Sequence, residues 1–174
     1  MTIAEVTVRR LVAEDVARYR QIRLDALKHD PDWFGSTFET ESSEPPQWFA
    51  DRLERAAVFG AEDREELLGI AGFFAREGRK EAHKGVLWGM YVRPKARTSG
   101  IGRRLVEAVI EHARKNVEVL QLTVVKGNEP ARRLYASLGF VEYGVERNSL
   151  KWNGRYWDEI LMAKPLLPDR ETAS

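Results

Sequence analysis

The stretch Arg97-Thr98-Ser99-Gly100-Ile101-Gly102 separates a short apolar run from a longer amphipathic one. In the run from Gly85 to Val92 both alternating sets of side chains are apolar, which is typical of a strand buried on both faces. After the stretch, apolar residues recur every three to four positions from Ile101, which predicts a helix with one apolar side. A strand, a glycine loop and a helix are therefore predicted in direct succession.

The two glycines of the loop lie where the predicted helix begins. A glycine lets a ligand approach the backbone closely, and the first N–H groups of a helix have no intrahelical acceptor. These groups and the positive end of the helix dipole form a site for an anion. Basic residues surround the loop: Arg93, Lys95, Arg97, Arg103 and Arg104. A bound anion would neutralise this charge, and a solvated basic surface is the alternative.

The composition restricts the class of protein. The length of 174 residues predicts one domain, 1–174, with a polar tail from about 166. The 28 Lys and Arg nearly balance the 27 Asp and Glu, which argues against a general nucleic-acid or membrane binder. The chain has no cysteine, no apolar run of membrane-spanning length and no signal-peptide pattern at Met1–Glu5. We therefore expect a soluble cytoplasmic protein that binds neither nucleic acid nor membrane.

Hydrophobic periodicity and turn residues predict the remaining elements. Asn128 is expected as the N-cap of the last helix, and Gly139 fits its C-terminal cap. The segment Asp32–Glu41 has no clean period. Strands are predicted at Val6–Leu11, Ala57–Ala61, Leu67–Ala75, Gly85–Val92, Val117–Val125, Phe140–Val145 and Tyr156–Ala163. Helices are predicted at Ala13–His29, from Ser43–Pro46 onward, from Ile101 to about Lys115, and from Asn128 to Leu138.

Three segments together resemble the GNAT N-acyltransferase superfamily. They are Met90–Pro94, the loop Arg97–Gly102, and the run from Asn128 to Phe140. The loop is similar to the family signature Arg/Gln-x-x-Gly-x-Gly/Ala, and the last run to Asn-x-x-Ala-x-x-x-Tyr-x-x-x-Gly-Phe. The resemblance covers about 85–140. It implies an α+β fold of three layers (α/β/α), with a mixed, mostly antiparallel central sheet of about six to seven strands and helices on both faces.

The resemblance also implies an N-acetyltransferase that takes the acetyl group from acetyl-CoA and needs no metal. Backbone groups at the end of the central strand would pair with the pantetheine arm, and N–H groups of the loop would bind the pyrophosphate. Tyr135 is the expected catalytic residue, near the sulfur of the cofactor. The expected cofactor contacts are Met90, Tyr91, Val92, Arg97, Thr98, Ser99, Gly100, Ile101, Gly102, Arg103, Asn128 and Tyr135.

The chemistry of acyl transfer assigns roles to these side chains. A tyrosine with an ordinary pKa of about 10 holds a proton at neutral pH and can pass it to a departing thiolate. A group that takes the proton of the attacking amine is harder to find, because the strand from Val86 to Val92 has no acid and Thr123 lies five residues before Asn128. Water relays to Glu39, Glu41 or His83 are hypotheses, and the alternative is that all three are simply solvated.

The acceptor is expected to be a primary amine of a small molecule, peptide or protein. Trp33, Phe34 and Phe38 could form a lid over an amine with an apolar part, or they could pack on the sheet. The resemblance to the family is the only ground on which a homodimer is expected.

Other classes of protein fit less well. A dinucleotide-binding fingerprint would need a third glycine where Leu105 stands, and a P-loop would need Lys-Ser/Thr after the glycines. The histidines His29, His83 and His112 lack the spacing of zinc ligands. The stronger rival is a sensor module that binds acyl-CoA without turnover.

Overall fold

The computed structural model describes residues 5–64 and 66–166, so the predicted tail beyond 166 lies outside the described residues. The strands are β1 Thr7–Arg10, β2 Ala57–Glu62, β3 Leu67–Ala75, β4 Lys84–Val92, β5 Val119–Val125, β6 Val141–Trp152 and β7 Arg155–Pro165. The helices are α1 Val16–His29, α2 Phe38–Ser42, α3 Pro46–Arg55, α4 Ile101–Arg114 and α5 Glu129–Ser137. The strands form a seven-stranded sheet in the order β1-β2-β3-β4-β5-β7-β6.

The sheet is mixed, as predicted. The β1–β2, β2–β3, β5–β7 and β6–β7 pairs are antiparallel, and β4 with β5 is parallel. The predicted α+β fold is therefore confirmed.

Two elements differ from the prediction. The helix α2 lies largely within the segment Asp32–Glu41, which shows no helical period in the sequence. Its five residues are too few to display one. A hydrogen bond from Thr40 N to the Thr37 hydroxyl, 3.2 Å long, caps its N-terminus. The strand β6 continues to Trp152 rather than ending at Val145. Register shifts at two points of β6 disturb the alternation on which the prediction depended.

The chain packs into two compact units, here called the first and the second unit. The first unit comprises residues 5–73 and 88–109 of the described chain. It contains β1, β2 and the helices α1 to α3. A hydrophobic core fills it, with large buried side chains such as Leu11, Tyr19, Ile22, Phe49, Leu53 and Ile70.

The start of α4 packs tightly within the first unit. A Cβ at Gly69 of β3 would lie 2.8 Å from Leu105 Cδ1 and 3.4 Å from Ile101 Cγ2, so a larger residue would collide with the helix. Ile101 and Leu105 are both fully buried. This packing fixes the N-terminus of α4 and therefore the position of the preceding loop.

The second unit comprises residues 74–87 and 110–166 of the described chain. In it β5 pairs with β7 along its whole length, from Val119 to Val125. The parallel pairing of β4 with β5 covers residues 84–86 and 119–121, and both strands continue beyond it. Across the described residues, every helix is too short or too polar to cross a membrane.

Candidate functional site

The glycine loop joins β4 to α4 through a backbone of unusual conformation. Thr98 has φ +63° and Gly100 has φ +85°, so both occupy the left-handed region. For a β-branched residue such as Thr98 this conformation is strained by about 1–3 kcal/mol. Apart from Gly100 itself and its two chain neighbours, no described residue has an atom within 4 Å of the point that a Cβ at Gly100 would occupy. The loop therefore combines a strained backbone with open space above a glycine.

Side chains of the loop hold this shape. The Ser99 hydroxyl donates to the Ala96 carbonyl, and Arg97 Nε donates to the Val92 carbonyl over 2.9 Å. The Arg97 guanidinium also pairs with Asp30. The hydrogen bond from Arg97 to Val92 thus holds the loop against the end of β4.

The loop leads directly into the N-terminus of α4. The backbone N–H of Arg104 donates to the Gly100 carbonyl over 3.1 Å, as the first bond of the helix. N–H groups that precede it in the first turn have no intrahelical acceptor. With the dipole of this 14-residue helix, they form a site for a negatively charged group.

The end of β4 buries two of its three predicted contact residues. The side chains of Tyr91 and Val92 are buried, whereas Met90 is half-buried. The Tyr91 hydroxyl lies 3.4 Å from His29 Nδ1, and burial raises the pKa of Tyr91. Gly89 has φ +63° and interrupts the regular strand just before Met90.

The helix α5 of the second unit carries the two other predicted residues. Asn128 caps it as predicted, because its side-chain oxygen accepts from Ala131 N over 3.4 Å. Tyr135 is buried, and its ring lies 5.8 Å from that of Phe140 in an edge-on arrangement. Burial raises the pKa of Tyr135, so its hydroxyl stays protonated well beyond neutral pH.

A carboxylate that the sequence did not reveal contacts Thr123. The Thr123 hydroxyl donates to Glu159 Oε1 over 3.0 Å, and the Ser149 hydroxyl donates to Oε2. Val125 is the direct partner of Glu159 across β5 and β7, so Thr123 is a diagonal neighbour on the same face. The residue is hard to find from sequence, because the pairing of β5 with β7 must first be known.

Glu41, one of the acids considered as a base, is not solvated. It is 1% exposed and accepts from Arg23 Nε over 2.9 Å and from Arg23 Nη2 over 2.8 Å. Arg52 Nη1 donates over 3.3 Å to Glu41 Oε2, the oxygen that also accepts from Arg23 Nε. Desolvation alone would raise the pKa of Glu41, but the bonds and charges of the two arginines outweigh it and lower this pKa. Glu41 is therefore an ion-pair partner rather than a base.

The other residues considered as bases or as a lid are either exposed to solvent or packed against the core. Glu39 and His83 are exposed. Phe34 and Phe38 pack against the core of the first unit, as the packing alternative expected, whereas Trp33 is 39% exposed. Across residues 5–64 and 66–166, no cluster of three or more His, Cys, Asp or Glu residues could hold a metal ion.

The comparison with protein families decides the class. Residues 24–140 match the model of the acetyltransferase (GNAT) family. The chain belongs to this family. The match includes β4, the glycine loop, α4, β5 and α5, which carry all the predicted site residues.

Curated relatives span nearly the whole chain. A phosphinothricin N-acetyltransferase of Streptomyces coelicolor is 28% identical over 94% of this chain and 98% of its own length. The N-alpha-acetyltransferase RimI of Mycobacterium tuberculosis is 28% identical over 86% of this chain and 87% of its own length.

Solved structures share the fold. A GNAT-family acetyltransferase of Streptococcus pneumoniae superposes with a TM-score of 0.81 at 24% identity, over 92% of this chain and 99% of that one. A Salmonella typhimurium protein solved with its cofactor acetyl-CoA has a TM-score of 0.78 at 23% identity, over 98% of this chain and 97% of that one.

The predicted site residues fall into two groups. Met90, Tyr91 and Val92 are continuous with Arg97–Arg103 in the first unit, as the end of β4 and the loop after it. Asn128 and Tyr135 lie on α5 of the second unit. The glycine loop fits a pyrophosphate, because it ends at a helix N-terminus and leaves the space at Gly100 open.

Proposed function

We propose that the protein is an N-acetyltransferase that moves the acetyl group of acetyl-CoA to a primary amine. The amine belongs to a small molecule or to a peptide or protein, and it attacks directly within a ternary complex. The glycine loop carries the proposal, since Thr98 and Gly100 hold a left-handed backbone just before the N-terminus of α4. Membership of the acetyltransferase (GNAT) family supports the same function.

The donor is held by backbone groups in this proposal. Met90, Tyr91 and Val92 pair with the pantetheine arm, and their side chains stay where they pack now. The N–H groups from Thr98 to Arg103 bind the pyrophosphate, while Arg97 keeps the loop in place. Asn128 contacts the cofactor and caps α5 at the same time.

The reaction needs one proton removed and one supplied. The neutral amine attacks the thioester carbonyl carbon, a C–N bond forms, and the C–S bond breaks. Tyr135 donates its phenolic proton to the leaving sulfur, which releases CoA as the thiol. The amine proton goes to a base, and the phenol is protonated again from solvent.

Glu159 is our proposed base. Its carboxylate is half-buried and accepts hydrogen bonds from Thr123 and Ser149, which orient it. This arrangement places a carboxylate beside Thr123, although β4 contains no acid. We expect Glu159→Gln to lower kcat at neutral pH and to leave the dissociation constant of acetyl-CoA unchanged.

A sensor that binds acyl-CoA without turnover is the second candidate, since no carboxylate lies in β4 itself. A broad panel of amines with acetyl-CoA separates the two functions. Release of free thiol that depends on an amine supports the enzyme. Binding of acetyl-CoA without thiol release for any amine supports the sensor.

The relatives suggest two classes of acceptor. The names of curated relatives include phosphinothricin, a small molecule, and an alanine of ribosomal protein bS18. The amine panel should therefore contain small amines and peptides with a free N-terminus.

Thermal unfolding with acetyl-CoA, CoA and NADH is the direct test of the cofactor. A ligand at 100 times its dissociation constant stabilises a protein by about 2.7 kcal/mol, which raises Tm by roughly 5–10 °C at this size. We expect the shift with acetyl-CoA and CoA only. An unchanged Tm with acetyl-CoA would contradict the proposal.

A further inference from the structure

Three buried polar atoms of the first unit have no hydrogen-bond partner. Within the described residues these are the Tyr19 hydroxyl, Arg23 Nη1 and Trp88 Nε1. A buried donor without a partner costs about 1–3 kcal/mol, and folded proteins contain few of them. All three belong to the core around α1, where Trp88 packs against the cluster that contains Tyr19. Such a concentration suggests that a ligand satisfies these groups.

The arrangement of Arg23 leaves one edge of its guanidinium free. Nε and Nη2 both donate to Glu41, so Nη1 has N–H groups without an acceptor. The residue is 5% exposed. The guanidinium carbon lies 5.3 Å from the Phe34 ring centre and 5.9 Å from that of Trp88. These aromatic faces stabilise the cation but do not replace an oxygen acceptor.

The charges of this cluster do not balance. One carboxylate, that of Glu41, faces two guanidinium groups, those of Arg23 and Arg52. Arg52 is partly exposed at 22%, so water screens it, whereas Arg23 is buried. The cluster of two guanidinium groups and one carboxylate therefore carries an excess positive charge, and Arg23 Nη1 is its buried donor without an acceptor. A negatively charged ligand there would balance the charge and accept the free hydrogen bonds.

The free edge of Arg23 lies beside β4. A Cβ on Gly89 would be 3.5 Å from Arg23 Nη1, and Gly89 directly precedes Met90. Arginine and indole N–H groups donate and never accept, so the complementary ligand is rich in acceptor oxygens. A carboxylate meets both requirements, because it is an anion and accepts from an arginine over short distances.

We propose that Arg23 Nη1 and Trp88 Nε1 bind a carboxylate of the acceptor, so that the acceptor is an amine that also carries a carboxylate, such as a free amino acid. This inference rests on the proposed function, in which Met90 holds the acyl arm. In an amino acid the amine and the carboxylate are attached to one carbon. A carboxylate beside Gly89 therefore keeps the amine close to Met90.

Equilibrium binding of unreactive product analogues tests the proposal without turnover. The probes are N-acetyl-L-alanine, N-acetyl-L-methionine and N-acetyl-L-glutamate, each compared with its α-carboxamide by titration calorimetry in the presence of CoA. We expect at least one acid to bind about ten- to a hundredfold more tightly than its amide, as for a hydrogen bond to a charged group.

Matched variants identify the residues responsible. Arg23→Lys and Trp88→Phe should each reduce this preference at least severalfold, because each removes a donor. Arg52→Lys is the control, since Arg52 also contacts Glu41 and lies over the Trp88 ring. It should keep the preference. If Arg23→Lys does not fold, Trp88→Phe still decides, because it retains an aromatic ring and removes only the N–H donor.

The outcomes separate this inference from the proposed function. Failure of all three acids to bind, equal binding of acids and amides, or an equal loss in Arg52→Lys and Arg23→Lys would each overturn the carboxylate site. Stabilisation by acetyl-CoA and thiol release with amino amides would leave the proposed function standing in that case. Binding of the acids without any stabilisation by acetyl-CoA would support the carboxylate site and contradict the proposed donor.

Discussion

Burial determines what the side chain of Tyr135 can do. It raises the pKa of Tyr135 above the ordinary value of about 10, so the phenol remains a proton donor throughout the neutral range. We expect Tyr135→Phe to lower kcat by about 10²–10⁴ and to keep the affinity for acetyl-CoA. Steady-state kinetics and calorimetry measure the two quantities. A kcat equal to that of the unchanged protein would exclude the proton transfer to sulfur.

The two left-handed residues of the glycine loop should respond in opposite ways. Thr98→Gly relieves the strain of a β-branched residue at φ +63°, so the free energy of unfolding should rise by about 0.5–1 kcal/mol. The backbone N–H of residue 98 remains, and acetyl-CoA affinity should stay the same.

Gly100→Val introduces strain at φ +85° and fills the open space, so acetyl-CoA affinity should fall at least tenfold. Urea unfolding and calorimetry test both, and equal affinity in Gly100→Val would remove the loop from the site.

At the scale of elements, variants of Asn128 distinguish its structural role as the N-cap of α5 from its predicted role in binding the cofactor. Asn128→Ala removes the cap and should lower the free energy of unfolding by about 1 kcal/mol. Asn128→Ser keeps a capping oxygen and should restore this stability. If Asn128 also contacts the cofactor, both variants should bind acetyl-CoA more weakly. Unchanged affinity in both would mean that Asn128 is only a cap.

Local patterns account for most of the elements. The strand β4, the loop and α4 are predictable because alternation, glycines and a helical stripe follow one another in the sequence. The pattern does not extend to β6, where the register shifts at Glu142/Gly144 and Glu146/Leu150 break the two-residue period. It also misses α2, whose five residues are defined by the Thr37 cap rather than by periodicity.

At the scale of the whole molecule, long-range pairing limits what the sequence reveals. The end of β4 and the glycine loop follow each other in the sequence, so the residues predicted to contact the donor there can be named from the sequence alone. The contacts of Glu159 require the pairing of β5 with β7, and those of Arg23 require α2 to fold back on α1. Glu41 illustrates the consequence, because an acid in an irregular segment resembles a solvated one until its partner 18 residues away is known.

The stability of the chain should depend on pH through an ion-pair network that joins β1, β2 and the start of α1. Arg9 bonds to Asp15 and Glu62, and Arg18 pairs with Glu62 over 2.9 Å. The hydrogen bonds of Arg9 lower the pKa of Asp15 and of Glu62, although desolvation opposes this effect. Because the folded-state pKa values lie below the unfolded values of about 3.9 and 4.3, this stabilisation is present at pH 7 and is lost as the pH falls below about 4.

Arg9→Met should therefore lower the free energy of unfolding by about 1–2 kcal/mol at pH 7, and the difference should shrink toward zero below pH 3. Urea unfolding between pH 7 and pH 2.5 gives the two curves. Arg10→Met is the matched control, since Arg10 is the exposed neighbour on the same strand and should change stability little at any pH. A difference between Arg9→Met and the unchanged protein that stays constant down to pH 2.5 would mean that Arg9 stabilises the fold by packing, because only its charge pairs disappear when Asp15 and Glu62 are protonated.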